Sequence, residues 1–290
     1  MYKMVAFDLD GTLLNDDKLI EDRFFESIRK ISEACEFVIA TERRYYSAKG
    51  FIGHIFPEAK VIANNGALIK SLEDDKSIFS SSMAYKDLKG VIDMIYDSDL
   101  EALFAINHAD YDVAVVRDTY EISAMDSAYY GDRIKLVDSF EGLSSYDLIS
   151  AIVHGSKKDL EKFKDDLKKA YPGLYNIYLM HLSGSDKYIL EVRDYQCSKW
   201  KSLVIYATSL GIRPEEIICI GDSENDMEML ENSGLGIAMP NARTYIKEKA
   251  DRTSSYDNNR GGTVFEAIKA LGIDYEEDIW DLILTGIPVT

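Results

Sequence analysis

Short apolar runs that drive straight into polar residues recur in the first and last thirds of the chain. Met4-Val5-Ala6-Phe7 ends in Asp8-Leu9-Asp10-Gly11-Thr12, Phe37-Val38-Ile39-Ala40 ends in Thr41-Glu42-Arg43, and Val61-Ile62-Ala63 ends in Asn64-Asn65-Gly66. Such runs, bounded by turn residues, read as buried strands. Phe24, Ile28 and Ile31 recur between the first two at helical spacing. Strands alternating with helices predict a parallel α/β sheet, and in such sheets ligands bind beyond the carboxyl ends of the strands.

From about residue 84 the pattern changes. Leu88, Val91, Ile92, Ile95 and Tyr96 mark one amphipathic helix, and Leu160, Phe163, Leu167 and Ala170 mark a second. Strand-like runs cover 103–106, 112–116, 148–153 and 176–180. Two helices with these strands predict an inserted α+β domain over 84–187, which leaves 1–83 and 188–290 as a discontinuous core. The core rhythm resumes in the run at 188–192. A helical face from Trp200 to Leu210 follows, closed by Gly211, then a strand at 217–220, another at 236–239, and a helix over 263–271 stopped by Gly272. Ile279, Trp280, Leu282 and Ile283 predict a packed terminal helix.

At 290 residues the chain is long enough for two domains of ordinary size. Its formal net charge of -18 argues against nucleic acid or an anionic membrane as partner, because both want a basic face. An anionic small molecule would need a locally positive pocket. The three cysteines, Cys35, Cys197 and Cys219, have no ligand or disulfide spacing and read as reduced residues of a cytoplasmic protein. The candidate site on the N-terminal strand argues against a removable signal peptide there. No apolar stretch approaches the ~18 residues of a membrane span.

Two acidic clusters carry the chemistry. Asp8 and Asp10, spaced i, i+2, leave the first strand on the same side, where they repel each other unless a cation or a proton lies between them. Far down the chain, Gly221-Asp222-Ser223-Glu224-Asn225-Asp226 follows another apolar run and holds more acid than a helix cap needs. Lys199 opens the helix before that strand, with Lys187 and Lys201 as rivals for any catalytic role. His54, His108, His154 and His181 show no ligand spacing.

The order Asp8-Leu9-Asp10-Gly11-Thr12, Thr41 after a strand, Lys199 at a helix start, and Gly221 to Asp226 resembles the haloacid-dehalogenase superfamily of phosphatases. Asn65-Gly66-Ala67 and the stretch from Gly236 through Asn241 to Ala242 are similar to its Cof-type branch, which carries a large α/β cap between the second and third motifs. The resemblance implies a Rossmann-like parallel-sheet core with an inserted cap that closes over it, and a Mg²⁺-dependent phosphatase of small sugar or cofactor phosphates. It implies Asp8 as nucleophile and metal ligand. Asp10 would be acid then base, with its backbone carbonyl on the metal, and Asp222 the other carboxylate ligand. Asp226 would hold the metal's waters or the Lys199 ammonium. Thr41, Lys199, Asn225, Arg43 and the backbone from Leu9 through Gly11 to Thr12 would bind the phosphoryl group.

The chemistry is coherent by itself. A carboxylate nucleophile splits hydrolysis into two easier steps, and Mg²⁺ suits a site of few carboxylates, water and phosphate oxygen. One residue departs from the pattern: Glu42 stands where the family has Gly, beside the expected anion pocket, and Arg44 competes with Arg43. A phosphotransferase or mutase on the same fold, a ligand-binding protein impaired by Glu42, and a receiver-type signalling module are the alternatives. In the cap, Tyr111, His108, His181, Ser183 and Ser185 are candidate pocket residues by polarity alone.

Overall fold

The computed structural model describes residues 1–116, 120, 122, 130–181 and 187–274, and these form two compact units, one of 1–79 with 198 onward and one of 80–197. The Trp280 tail, Ser183 and Ser185 lie outside the described residues.

In the first unit β1 (Met4–Phe7) leads to α1 (Phe25–Ala34), β2 (Glu36–Ala40), α2 (Tyr45–Ile52) and β3 (Lys60–Ala63). The turn Asn64–Gly66 then sends the chain back through β4 (Leu68–Ser71) to β5 (Ser77–Ser80). β1 pairs with β2, and β2 with β3, in parallel, whereas β4 runs antiparallel to β3. The sheet is therefore mixed at this edge, where the apolar pattern gave way to Lys70 and Ser71.

The second unit holds α3 (Tyr85–Tyr96), β6 (Glu101–Ile106), β7 (Val113–Val116), β8 (Ile134–Val137), β9 (Leu148–Gly155), α4 (Lys157–Ala170), β10 (Tyr175–His181) and β11 (Tyr188–Asp194). Its sheet runs β10-β11-β9-β6-β7-β8. Leu88, Val91, Ile92 and Ile95 of α3 and Leu160, Phe163 and Leu167 of α4 bury one apolar face against Phe104, Ala151, Val153, Leu190 and Val192. Ser156 caps α4 by accepting the Asp159 N–H at 3.2 Å. The run at 188–192, expected in the first sheet, lies here instead: β11 pairs antiparallel with β9 and β10. Its alternating Leu190 and Val192 face this unit's core, and a short apolar run does not say which sheet it joins. The chain changes units at 80 and 198, not at 84 and 188. His108 stacks on Tyr111, with ring centroids 5.1 Å apart.

Back in the first unit follow α5 (Lys199–Ser209), β12 (Ile217–Gly221), α6 (Met227–Asn232), β13 (Leu235–Ala238), α7 (Thr244–Lys247), β14 (Arg252–Thr253) and α8 (Gly262–Leu271). The sheet order is β14-β13-β12-β1-β2-β3-β4-β5, so β1 is central. Val5 and Phe7 enter one core and Met4 and Ala6 the other, all fully buried. A strand covered on both faces reads as a continuous apolar run.

The turn at 64–66 packs directly on the start of α5. Ser202 donates its hydroxyl to the Gly66 carbonyl, and a Cβ on Gly66 would lie 2.1 Å from the Ser198 carbonyl oxygen. Gly66 also sits at φ 101°, so an alanine there meets both strain and a backbone clash. Gly66→Ala is expected to lower stability by about 2–3 kcal/mol in urea unfolding. An unchanged midpoint would show that the turn and α5 are not held this tightly.

Candidate active site

The parallel register aligns the ends of the central strands. Phe7 lies level with Ile39 and Ile220, so Asp8, Thr41 and Asp222 all follow the carboxyl ends of β1, β2 and β12 on one edge of the sheet. The Asp8 N–H donates to the Ile220 carbonyl at 2.9 Å, and the Thr41 N–H to Ile62 at 2.8 Å, which extends the ladder to these residues.

Lys199 is the centre of the site. Its side chain is 1% exposed, and its ammonium donates to Asp8 Oδ1 and to Asp226 Oδ1, each at 2.7 Å. Lys187 and Lys201 are exposed. Burial works against the charged lysine, but Asp226 and Asp8 outweigh it and hold the Lys199 pKa above its ordinary value. The second Asp226 oxygen accepts the N–H groups of Asp222 (3.0 Å) and Ser223 (2.9 Å) and the Ser223 hydroxyl (3.1 Å). Asp226 Oδ2 is thus filled, while Oδ1 carries one bond, from Lys199. Burial is the main force raising Asp8 well above the usual carboxylate range, with Asp226 and Asp222 adding to it against the pull of Lys199. Asp222 is pushed up to about 6, first by burial and then by Asp226.

Asp222 is fixed from the other side. The Thr12 hydroxyl donates to its Oδ1 at 3.2 Å, and Asn241 Nδ2 donates to its Oδ2 at 2.7 Å and to the Gly11 carbonyl at 3.0 Å. A Cβ on Gly11, which sits at φ +75°, would lie 2.7 Å from Asp222 Oδ2. The Thr12 side chain thus turns to a carboxylate, and its carbonyl accepts the Thr263 hydroxyl at 2.6 Å. The Leu9 side chain is fully buried in the core.

Asp10 has a different setting. Arg43 grips both of its oxygens, Nε to Oδ2 at 2.5 Å and Nη2 to Oδ1 at 2.7 Å, and Lys18 donates to Oδ1 at 2.9 Å. Burial opposes ionisation here, but the hydrogen bonds from Arg43 and Lys18 prevail and hold Asp10 below the usual range. The Arg43 guanidinium lies over the Phe51 ring, 4.3 Å from its centroid, and the Arg43 backbone N–H donates to Thr41 Oγ1 at 3.1 Å. Glu42 between them is exposed. Arg44 is buried at the start of α2. Asn225 donates to Asn65 Oδ1 at 2.7 Å and accepts the Ser223 hydroxyl at 2.5 Å.

Sequence reasoning therefore reached Asp8, Asp10, Asp222, Asp226, Lys199 and Arg43, which the fold gathers. It missed Lys18 and the fixing role of Asn241, which was visible only as part of a motif after a strand. Asp8, Asp222 and Asp226 each bring an oxygen within 4.8 Å of the others. Three hard oxygen donors, with Asp8 and Asp222 both raised by crowding and burial, fit Mg²⁺.

A mixed α/β sheet with crowded aspartates at its central strand ends and an inserted α/β cap defines a class, and the comparisons agree on it. The model of the haloacid dehalogenase-like hydrolases matches residues 5–268, and the chain belongs to that family, in its Cof-like branch. It is similar to the 5-amino-6-(5-phospho-D-ribitylamino)uracil phosphatase YitU of Bacillus subtilis, at 25% identity over 89% of this chain and 94% of the relative. It is likewise similar to the HMP-PP phosphatase of Enterobacter sp., at 26% identity over 83% and 85%. Among solved structures, TM0651 from Thermotoga maritima superposes with a TM-score of 0.79 at 26% identity, covering 95% of this chain and 99% of that one.

Two outcomes test this geometry. Asp226→Ala leaves a buried ammonium with one partner and is expected to lower stability by about 3–5 kcal/mol in denaturant unfolding. Mg²⁺ must meet a deprotonated Asp222, whose pKa is about 6. Affinity should therefore fall as pH drops, by about tenfold from pH 7 to pH 5 in titration calorimetry. Equal affinity at both would remove Asp222 from the ion's ligands.

Proposed function

We propose that the chain is a Mg²⁺-dependent phosphatase that hydrolyses monoesters of small phosphorylated metabolites through an aspartyl-phosphate on Asp8. The observation that carries this reading is the buried Asp8 carboxylate held 2.7 Å from Lys199 at a strand end, with Asp222 beside it. A carboxylate so held presents an oxygen in a fixed direction, and the ammonium reduces its repulsion of an incoming phosphate. Asp8 and Asp222 would hold the cation, while Asp226 holds Lys199 through Oδ1 and lies within reach of the same site. Mg²⁺, when bound, supplies Lewis-acid charge for the phosphoryl oxygens.

In the first half-reaction an Asp8 oxygen bonds to phosphorus as the ester bond breaks, and Asp10 gives its proton to the leaving oxygen. In the second, Asp10 takes a proton from the water that attacks the acyl phosphate, and Asp8 is released. Thr41, Asn225, Arg43 and the backbone N–H groups from Leu9 to Thr12 bind the phosphoryl oxygens. The unit at 80–197 acts as the cap that chooses the leaving group. The relatives' names support sugar-like or cofactor-precursor phosphates as substrates. Three free cysteines, two of them buried, support a cytoplasmic location, and no helix among the described residues is long and apolar enough to cross a membrane.

Phosphate release from p-nitrophenyl phosphate and a panel of sugar, nucleotide and cofactor phosphates tests the reading. Turnover should require Mg²⁺, stop with EDTA, and fall by at least ~10⁴-fold in Asp8→Asn with folding intact. A folded protein that releases phosphate from none of these would overturn it, and a phosphotransferase assay with acceptor sugars would follow.

A further inference from the structure

Lys18 lies outside the strand-end motifs, yet it is built toward Asp10. It sits at φ 62°, a conformation that lysine rarely adopts. The turn that holds it there is closed from within: the Asn15 N–H donates to the Leu19 carbonyl (2.9 Å), the Lys18 N–H to the Asn15 carbonyl (3.0 Å), and the Leu19 N–H to Asn15 Oδ1 (2.9 Å). From outside, Asn258 Nδ2 donates to Asp16 Oδ1 (3.1 Å) and to the Leu14 carbonyl (3.0 Å), and Asn259 Nδ2 donates to Asp16 Oδ2 (3.0 Å). The Asp16 N–H closes the set on Asn259 Oδ1 at 3.0 Å. So anchored, the turn delivers an ammonium to Asp10 Oδ1 at 2.9 Å.

The effect on Asp10 is asymmetric. Oδ1 receives both Arg43 Nη2 and Lys18 Nζ, whereas Oδ2 receives Arg43 Nε. A guanidinium fork by itself fixes the plane of a carboxylate; a third donor on one oxygen also distinguishes the two oxygens and resists rotation. Proton transfer to a leaving oxygen needs the donor within about 2.6–3.2 Å and correctly aimed.

We propose that Lys18 is a positioning residue that holds the Asp10 carboxylate in the orientation from which it serves the leaving oxygen. This rests on Asp10 as the acid of the proposed phosphatase. In the step concerned, the bond from Asp8 to phosphorus forms, the bond from phosphorus to the leaving oxygen breaks, and the Asp10 proton goes to that oxygen. An alkoxide needs the proton, and p-nitrophenolate scarcely does. Lys18 therefore matters for sugar phosphates and little for aryl phosphates.

The test compares kcat/KM, which reports only the steps through phosphoryl transfer, for a sugar phosphate that the wild type hydrolyses and for p-nitrophenyl phosphate. Lys18→Gly removes the ammonium and relieves the left-handed backbone, so a lost fold is not the expected outcome; its melting temperature is measured beside the rates. Lys18→Gly should lower the ratio of sugar-phosphate to aryl-phosphate kcat/KM by about tenfold, Lys18→Arg should restore most of it, and Asp10→Asn should lower it further. An unchanged ratio in Lys18→Gly, with Asp10→Asn lowering it, would overturn the inference and leave the phosphatase reading intact. A wild type with no turnover of either ester would instead defeat the underlying reading.

Discussion

Taking an ammonium ion out of water costs several kcal/mol, and Lys199 is almost completely buried. The charge is held because two carboxylates meet it at 2.7 Å and one of them, Asp226, is itself fixed by two backbone N–H groups and a hydroxyl. The surrounding structure follows from placing that one side chain. Ser198 caps α5, Ser202 ties α5 to the Gly66 carbonyl, and the glycine lets the turn after β3 come within contact of the helix start. The turn after β3, the start of α5 and the Asp226 segment are thereby locked to the edge where β1 ends.

Asp8 and Asp10 stand two residues apart and are treated in opposite ways. Burial and neighbouring acids raise Asp8, while Arg43 and Lys18 lower Asp10. Environments that separate two carboxylates in this manner divide chemical roles between them. In the proposed mechanism, an Asp10 that rests ionised suits the half-reaction in which it would take a proton from water. The half-reaction in which it would give one starts from the minor protonated form, which the two cations make a stronger acid.

The strand-end logic was legible because β1 and β12 are covered on both faces, so that each shows as an unbroken apolar run stopped by acid. β4 and β5 did not show, since Lys70, Ser71, Ser77 and Ser80 interrupt them. The run at 188–192 showed as a strand but not as a member of the second sheet, because periodicity encodes burial and not partners. At the site, residue types and order pointed to the aspartates and Lys199. Lys18 was hidden because its reach to Asp10 depends on a positive φ set by Asn258 and Asn259, some 240 positions away. Thr12 was expected to offer its backbone N–H, and nothing in the sequence pointed to the second task of its side chain, which steadies Asp222.

The charge at this edge explains why a divalent ion belongs to the reaction in a protein whose net charge is -18. Asp8, Asp10, Asp222 and Asp226 face Lys199, Arg43 and Lys18. Taken as ionised, four carboxylates against three cations leave the cluster with one negative charge, on a surface that is already repulsive to anions. A phosphate ester would be turned away. A divalent cation held by Asp8 and Asp222 would reverse the sign of the cluster and offset the neighbouring negative charge that adds to burial in raising both carboxylates.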